Sequence, residues 1–500
     1  MNLWAESDHL EIASTPVDRT QKSGTTRRNS VEQTVLPTMR AWLLADYVAP
    51  YCGSLAATRI FRRCFWIDAL GSTRATSKKS GTSQGRDDGY GYGRMEGRGS
   101  GRDGRGRDES RPCIFDAVDG VEQANHRPSR SGKAAKKARS ETLPPTLQAV
   151  VDLSGELARE SKPIILQGIT LDTTKSVGTR FIASAPPSTS APPSTSAPAS
   201  ASTASQDAFV LPKESGVINA SWREAAPALL PAIEQTAAIF LVNPLVITRS
   251  GASIKGEIPF LMAEELAPLV QRTAPTELCM LLMHRQVEGV FLPALRTTSG
   301  AAAFTALLRS DRWKALLAKE SENASRIDKG IDLWWACLQP HFSFVQRVAF
   351  PIMIGPATVE DAPCSLLFAT RRQDSLVCMN DAVCDYRRRL EQESRRGILN
   401  EAWFAAQQAE RDAQALQQLS EDLLRAGRAR APRRWPDLRQ QLLLERFGQW
   451  TLREYDEMLC RLLQADEVRC AWRQANSADA QGRVPGNEDI LQWQWKKRRY

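Results

Sequence analysis

The stretch Ala237-Ala-Ile-Phe-Leu-Val-Asn-Pro-Leu-Val-Ile-Thr-Arg249 is typical of a buried strand that runs into a rigid turn. Its apolar core, 238–242, is too short to cross a membrane and suits a central strand covered on both faces. Pro244 has no backbone N–H and favours an extended Asn243, so the strand is predicted to end there. The amide of Asn243 is then expected at the carboxyl edge of the sheet, where ligands bind in open α/β folds. Asn-Pro also starts ordinary turns, and the sequence leaves both interpretations open.

Strands and helices alternate on both sides of this stretch. Further strands are predicted at 64–67, 163–172, 209–211, 277–283, 344–354 and 365–370. Helices are predicted at 147–157, 222–233, 261–270, 304–319 and 331–338, followed by a long amphipathic segment at 376–425. Such alternation indicates a parallel sheet with helices on both faces. The sequence therefore predicts a doubly wound α/β fold with a mostly parallel sheet.

Acidic residues end the first two predicted strands. Asp68 closes the first, and Gly71-Ser72 then give the backbone freedom to turn. The second strand ends on Asp172. A strand followed by a small-residue turn has the form of a first strand and its ligand-binding loop.

Composition limits the class of protein. The chain has 500 residues, enough for two or three domains, and its net charge of +9 permits an acidic partner without requiring one. Its ten cysteines form no C-x-x-C pair and it has only four histidines, so reduced thiols in a cytoplasmic protein are expected, rather than disulfides or a zinc site. The first residues do not read as a secretion signal, and no run of 18 apolar residues predicts a membrane span.

Three segments lack the apolar residues that a core needs. Residues 1–34 are predicted to form a loose arm, and disordered insertions are predicted at about 75–140 and 182–206. Within the first insertion, Arg-Gly repeats with interleaved tyrosines are typical of single-stranded RNA binding. The six arginines of 85–109 are, however, balanced by six acidic residues, which favours a solvated insertion.

The C-terminal region reads as a separate unit. Thr451-Leu-Arg-Glu454 matches a capping box and predicts the start of a helix. A preceding apolar stripe predicts another helix, and alternation at 468–472 and 491–495 predicts a hairpin. Helix, helix and hairpin are the outline of a winged helix. We therefore expect an α/β domain at 35–395, a helical and basic hinge at 396–435 and a winged-helix-like domain at 436–500.

Four segments resemble the three-Cys-motif partner proteins (TcmP), a family with a class I methyltransferase-like sheet followed by a winged helix. Residues 39–74, with Phe65-Trp-Ile-Asp-Ala-Leu-Gly-Ser72, resemble the family's first strand and loop. Phe240-Leu-Val-Asn-Pro-Leu-Val246 resembles its Phe-Leu-Asp-Pro segment. Residues 365–382 resemble the strand and helix that close the sheet, and 436–500 resemble the winged helix.

The resemblance implies a set of site residues. Asp68, Gly71 and Ser72 would receive S-adenosylmethionine, and Asp172 would hold its ribose. Asn243 and Pro244 would orient a methyl acceptor. The chain departs from the family pattern in the loop, where Ser72, Thr73 and Arg74 follow the single Gly71, and at Asn243, Leu245 and Val246, which replace an aspartate, an aromatic residue and a glycine.

Two functions are compatible with these features. In one, the chain is a catalytically silent scaffold that serves a partner protein, with the winged helix as its interaction module. In the other, it is a methyltransferase acting on nucleic acid or on a bound partner. The glycine-poor loop favours the scaffold. The winged helix is compatible with nucleic-acid binding or with solvated charges at Arg453, Arg461, Arg469 and Arg473, and His284 is expected to be structural.

Overall fold

The computed structural model describes residues 34–70, 143–160, 163–172, 214–245, 263–308, 311, 313–314, 323–353, 359–394, 401–429, 434–473 and 483–494. Nearly all of the predicted arm (1–34), both predicted insertions, the predicted strand at 209–211, Gly71 and Ser72 lie outside these residues. None of the described helices combines the length and the apolar character needed to cross a membrane.

Seven strands build one sheet: β1 (Arg63–Asp68), β2 (Ile165–Leu171), β3 (Gly216–Ile218), β4 (Ala237–Val242), β5 (Thr276–Met283), β6 (Phe344–Met353) and β7 (Val359–Thr370). Their order across the sheet is β3-β2-β1-β4-β5-β7-β6. The first five strands are parallel to one another, whereas β7 is antiparallel to both β5 and β6. This arrangement confirms the predicted α/β fold with a mostly parallel sheet. The three-residue β3 was not predicted.

The described residues of the sheet region include the helices α1 (34–57, with a π-helical part at Leu43–Val48), α2 (Pro145–Leu157), α3 (Trp222–Ala232), α4 (Ala263–Val270), α5 (His284–Arg296), α6 (Thr298–Leu308), α7 (Asn323–Leu338) and α8 (Gln373–Ser394). The helix predicted at 304–319 begins earlier, at Thr298, and most of its second half lies outside the described residues. The segment predicted at 376–425 is two helices, because α8 ends at Ser394 and the next helix begins at Glu401.

Both faces of the sheet are covered, which explains the uninterrupted apolar run of β4. Ala238, Phe240 and Val242 join a core formed with α3 to α7. The alternate residues of β4 join a second core formed with α1, α2 and α8. Each large side chain buried in this way contributes about 1.5–3 kcal/mol relative to an exposed one.

The helix α1 is locked to α8, far along the chain. The indole N–H of Trp42 donates to the carbonyl oxygen of Ala382 at 3.1 Å, across 340 residues of sequence. Arg389 forms an ion pair with Asp46 nearby. Trp42 also lies against Phe350, with ring centroids 5.2 Å apart. These contacts close one face of the sheet with segments from both ends of its sequence.

A C-terminal unit follows the sheet region and has its own core. It consists of α9 (Glu401–Ala429), α10 (Trp435–Glu445), α11 (Leu452–Gln464) and a hairpin of β8 (Val468–Ala471) and β9 (Ile490–Trp493). The predicted capping box is confirmed: Glu454 N–H donates to Thr451 Oγ1 at 3.3 Å, and Thr451 N–H donates to the Glu454 carboxylate at 2.8 Å. The helix α9 contributes Leu419 and Leu423 to this core.

Gly427, which we expected in a basic hinge, lies inside α9. A Cβ atom at this position would be 2.1 Å from the indole of Trp493 in β9. The glycine therefore permits the hairpin to pack directly on the helix backbone.

Polar contacts join the C-terminal unit to α8. Asn380 is fully buried; its amide donates to the Trp450 carbonyl and its oxygen accepts from the Gly448 N–H, both at 2.8 Å. Gly448 has a φ of 71°, which favours glycine. Arg388 of α8 donates to the Glu454 carboxylate at 2.6 Å. The capping-box glutamate thus caps the start of α11 and also contacts α8.

Candidate functional site

Three predicted site residues meet at the carboxyl edge of the sheet. Asp68 is the last residue of β1 and pairs in register with Thr170 of β2 and Leu241 of β4. Asp172 and Asn243 each lie two residues beyond those partners. Because neighbouring strands are about 4.8 Å apart, the three side chains belong to one short stretch of this edge.

Asp68 is held by a cation that the sequence did not reveal. Its carboxylate is fully buried and forms an ion pair with Arg40 of α1, with Nη2 donating to Oδ1 at 3.0 Å and Nε 2.7 Å from Oδ2. Oδ1 also accepts the backbone N–H of Leu70 at 3.0 Å. The side chain expected to contact a cofactor thus anchors α1 to the central strand.

Asp172 lies where β2 leaves the sheet. Its backbone N–H donates to the carbonyl oxygen of Ile218 at 2.9 Å, which joins the end of β2 to β3. The residue is 8% exposed. Its position at the edge agrees with the predicted end of the second strand, and its contact with a ribose stays a prediction.

Asn243 and Pro244 form the predicted turn at the end of β4. Asn243 Oδ1 accepts the backbone N–H of Leu245 at 2.8 Å, which closes the turn. Its Nδ2 donates to Oε1 of Gln286, in the first turn of α5, at 2.8 Å. Sequence reasoning did not identify Gln286, because nothing in the pattern of α5 distinguishes it from a solvated polar residue.

A second group of polar side chains was also missed. Glu277, near the start of β5, is fully buried and accepts the hydroxyls of Tyr51 at 2.7 Å and Ser375 at 2.5 Å. Tyr47 and Ser375 share a further hydrogen bond of 3.0 Å. Burial raises the pKa of Glu277 to about 7, although the hydroxyl donors act in the opposite direction. The sequence did contain a signal for this group, because Glu277 is an acidic residue in the mostly apolar strand β5.

His284 has a partner in the sheet. Its Nε2 lies 2.9 Å from Oγ of Ser365 in β7, a residue without solvent exposure. Burial lowers the pKa of His284, and the charge of Arg347 acts in the same direction. A fully buried serine within a strand is unsuited to attack a substrate, which favours a structural role for the pair. Within the described ranges, no group of three or more His, Cys, Asp or Glu side chains is arranged to hold a metal ion.

Three of the four arginines considered for phosphate contact have acidic partners. Arg453 lies 2.6 Å from Glu457 and Arg469 lies 3.0 Å from Asp466. Arg473 pairs with Glu488. The exposed Arg461 has no ion pair among the described residues.

A groove of about 670 Å³ runs along the exposed side of α11, lined by Asp381, Leu452, Arg453, Asp456, Glu457, Cys460, Arg461, Gln464 and Val484. Its lining carries two arginines and three acidic residues, so the surface is not basic. A polyanion such as nucleic acid gains little there from charge.

No protein-family model, curated protein or solved structure matches this chain. The resemblance to TcmP therefore depends on the sequence segments themselves. The carboxyl edge, with Asp172, Asp68 and Asn243, is the candidate site on which structure and sequence converge.

Proposed function

We propose that the chain is a divergent relative of the three-Cys-motif partner proteins, with a methyltransferase-like sheet that serves as a scaffold and a C-terminal winged-helix module that contacts a partner protein. The observation that carries the proposal is the strand order β3-β2-β1-β4-β5-β7-β6 with an antiparallel β7. Class I methyltransferases have this order. A simple doubly wound sheet has six parallel strands in the order 3-2-1-4-5-6 and lacks the inserted β7.

The ion pair between Arg40 and Asp68 supports the scaffold. Cofactor binding by Asp68 would require the carboxylate to leave a buried cation, and breaking such a pair costs on the order of 3–5 kcal/mol. The sequence after Asp68 also supports the scaffold, because Gly71 is followed by Ser72, Thr73 and Arg74 rather than by further glycines. A cofactor that lies against the backbone needs smaller residues.

The C-terminal unit supports an interaction module. Its last helices and its hairpin have the order of a winged helix, and its own core holds them together. The ion pairs of Arg453, Arg469 and Arg473 favour a protein over nucleic acid as the partner. The exposed α11 is then the surface we assign to that partner.

A specific observation favours the alternative, an S-adenosylmethionine-dependent methyltransferase acting on nucleic acid or on a bound partner. Asp172 and Asn243 flank β1 at one edge, where a ribose contact and an acceptor contact would both be needed. The Asn-Pro turn is retained, and Asn243 is partly exposed. Asp172 and Asn243 are the two polar groups that methyl transfer would use, and both lie at this edge.

Titration calorimetry with S-adenosylmethionine separates the two functions. For the scaffold, we expect no heat at millimolar cofactor and no thermal shift. Micromolar binding by the wild-type chain that is lost in Asp172→Asn would overturn the scaffold and support the enzyme. Asp172→Asn is preferred to Asp68→Ala because the latter leaves Arg40 buried without its partner, so that misfolding would imitate a loss of binding.

A further inference from the structure

The amino edge of the sheet, at which the parallel strands begin, carries an exposed surface far from the carboxyl edge. Arg59, Arg62 and Arg63 lie there, between the end of α1 and the start of β1. All three are exposed, and in the part of the chain that the structure describes their side chains have neither a hydrogen bond nor an ion pair. Ile60, in the same segment, is 75% exposed. A single exposed isoleucine is ordinary, whereas an apolar patch rimmed by charges marks an interaction surface.

Ile165 continues this surface onto β2. It pairs in register with Arg63, so the two side chains leave the same face of the sheet, and its backbone N–H donates to the carbonyl oxygen of Arg62 at 3.0 Å. Its exposure is 51%. Arg159 and Glu160, which precede β2, carry opposite charges and offset each other. The amino-edge surface therefore combines two isoleucines with three cations: Arg59, Ile60, Arg62, Arg63 and Ile165.

The turn that exposes Ile60 does not need an arginine. Arg59 follows the end of α1 with a φ of 59°, in the left-handed region, where glycine is the usual residue. The turn is closed by Thr58, whose hydroxyl donates to the Leu55 carbonyl at 2.7 Å and accepts the Ile60 N–H at 3.4 Å. Glycine would form this turn more readily, so the fold does not account for the cation at position 59.

An occupant of the amino-edge surface has to offer acidic and apolar side chains together. Nucleic acid supplies the charge, but its bases stack on aromatic side chains rather than on isoleucine. The chain itself contains a segment of the required chemistry, residues 1–18, with no Lys or Arg. Its acidic residues are Glu6, Asp8, Glu11 and Asp18, and its large apolar residues include Leu3, Trp4, Leu10 and Ile12. A second acidic stretch, 113–122, lies between Arg111 and Arg127, which weaken its attraction to a basic surface.

The length of the chain allows segment 1–18 to reach this surface. The helix α1 begins near the carboxyl edge, where Arg40 contacts Asp68, and ends at the amino edge. Its residues, 34–57, are about 36 Å long. Residues 19–33 span up to about 50 Å when extended, so they can lead segment 1–18 back along α1. A tether of this kind gives a weakly binding segment a high effective concentration at its own surface.

We propose that the amino-edge surface is the docking surface for segment 1–18 of the same chain. The carboxylates of the segment pair with the three arginines, and its apolar side chains, Trp4 among them, cover Ile60 and Ile165. A partner protein of the same chemistry uses the surface only by displacing the segment. The proposal depends neither on the scaffold nor on methyl transfer, so its tests and those of the proposed function fail independently.

Fluorine NMR of the full chain labelled with 5-fluorotryptophan makes the docking observable. The chain has 13 tryptophans, and the signal that disappears in Trp4→Phe is that of Trp4. A labelled peptide of residues 1–18 gives its position and width in the free segment. We expect the Trp4 signal of the wild type to be shifted from the peptide position and several-fold broader. A Trp4 signal that coincides with that of the peptide would overturn the proposal, and this is also the result expected if stretch 113–122 occupied the surface.

The charge of the surface is tested by Arg62→Glu/Arg63→Glu, which changes only exposed side chains. We expect this variant to return the Trp4 signal to the position and width of the peptide, because the segment is then repelled. Arg453→Glu/Arg461→Glu is the matched control, since it makes the same change of charge on α11 and should leave Trp4 as in the wild type. Equal effects of the two variants would overturn the proposal.

A charge exchange separates docking from a general effect of charge. Glu6→Arg/Asp8→Arg alone should release Trp4, and its combination with Arg62→Glu/Arg63→Glu should restore the shifted, broad signal. Ile60→Asp should release Trp4 without changing any arginine. Release by the charge variants but not by Ile60→Asp would overturn the apolar part of the proposal.

Polyanions are the other class of occupant. Binding of a uridine oligonucleotide, measured by fluorescence anisotropy, and of phosphatidylserine vesicles, measured by cosedimentation, is compared between the wild type and Arg62→Glu/Arg63→Glu. We expect neither to bind the wild type through this surface, because segment 1–18 occupies it. Binding that is lost in the variant, together with a free Trp4 signal in the wild type, would assign the surface to a polyanion and overturn the proposal.

Discussion

Asp68 and Glu277 are both fully buried acids, but their carboxyl groups have different partners. Asp68 has the guanidinium of Arg40 against both oxygens. Glu277 meets the neutral hydroxyls of Tyr51 and Ser375. Burial disfavours the charged form of Glu277, and its hydroxyl donors offset this only in part, so its pKa rises to about 7.

The raised pKa of Glu277 makes stability depend on pH. Its ordinary value is 4.5 and its value in the folded protein is about 7, so between these values the folded state holds a proton that the unfolded state has released. We expect the free energy of unfolding to fall as pH rises from about 5 to about 7 and then to level off. A difference of this size corresponds to on the order of 3 kcal/mol.

Glu277→Gln provides the comparison, because its amide cannot ionise and keeps an oxygen for Tyr51. Urea unfolding of both proteins between pH 5 and 8 gives the difference in their pH dependence. His284, whose pKa is lowered, contributes equally to both curves and cancels. Parallel curves would show that the Glu277 carboxyl does not titrate in this range.

Sequence reasoning located most backbone positions of the site and missed the side chains that control it. Asp68, Asp172 and Asn243 end strands because apolar runs stop there, which is a local signal. Arg40 is 28 residues from Asp68, and Gln286 is 43 residues from Asn243. Such partners meet only through the order of the strands, which spacing along the chain does not encode.

At the scale of elements, the sequence predicted a feature correctly where all the interacting groups lie within one turn of the chain. The capping box at Thr451 was predicted because both of its groups lie within one turn. Gly427 does not interrupt α9, because a glycine marks a break in a helix only where no tertiary contact needs the space that its missing side chain leaves. Here the indole of Trp493 occupies the space beside the helix.

Gly427→Ala should destabilise the C-terminal unit. Its methyl group would overlap the Trp493 ring, so the hairpin must shift away from α9. Overpacking of this kind costs about 1–3 kcal/mol. Tryptophan fluorescence during urea unfolding measures both the loss of stability and any change around Trp493.

Gly155→Ala is the matched control, since this helical glycine has nothing within 4 Å of the added Cβ. There the substitution should stabilise by about 0.5–1 kcal/mol, because alanine favours helix more than glycine does. If both variants were stabilised alike, the close approach of Trp493 would be refuted.

At the scale of the whole molecule, the helix α9 belongs with the C-terminal core. Leu419 and Leu423 are fully buried in it, together with Trp435 and Leu459. A boundary at 436 would remove all of these side chains except Leu459. The contacts of α9 with α11 and β9 join residues that are far apart along the chain, so the sequence pattern did not show that this helix belongs with the C-terminal core.

Two fragments test this organisation. We expect 401–500 to unfold cooperatively and 436–500 to show no cooperative transition by circular dichroism, because a small core that loses buried leucines cannot offset the entropy of ordering the chain. The longer fragment should be less stable than the same unit in the full chain, since it lacks Asn380 and Arg388 of α8. Cooperative unfolding of 436–500 would place the boundary at the position that the sequence suggested.

The hydrogen bond from Trp42 to Ala382 can form only after both residues have been synthesised. A ribosome adds about 5–20 residues per second, so the 340 residues between these partners take roughly 17–70 s to emerge. During that interval the apolar side of α1, including Trp42 and Tyr47, has no α8 to cover it. The nascent chain therefore spends tens of seconds with a hydrophobic helix available to chaperones and to neighbouring chains, and the last strand pair and α8 complete this face of the sheet only after most of the protein has been made.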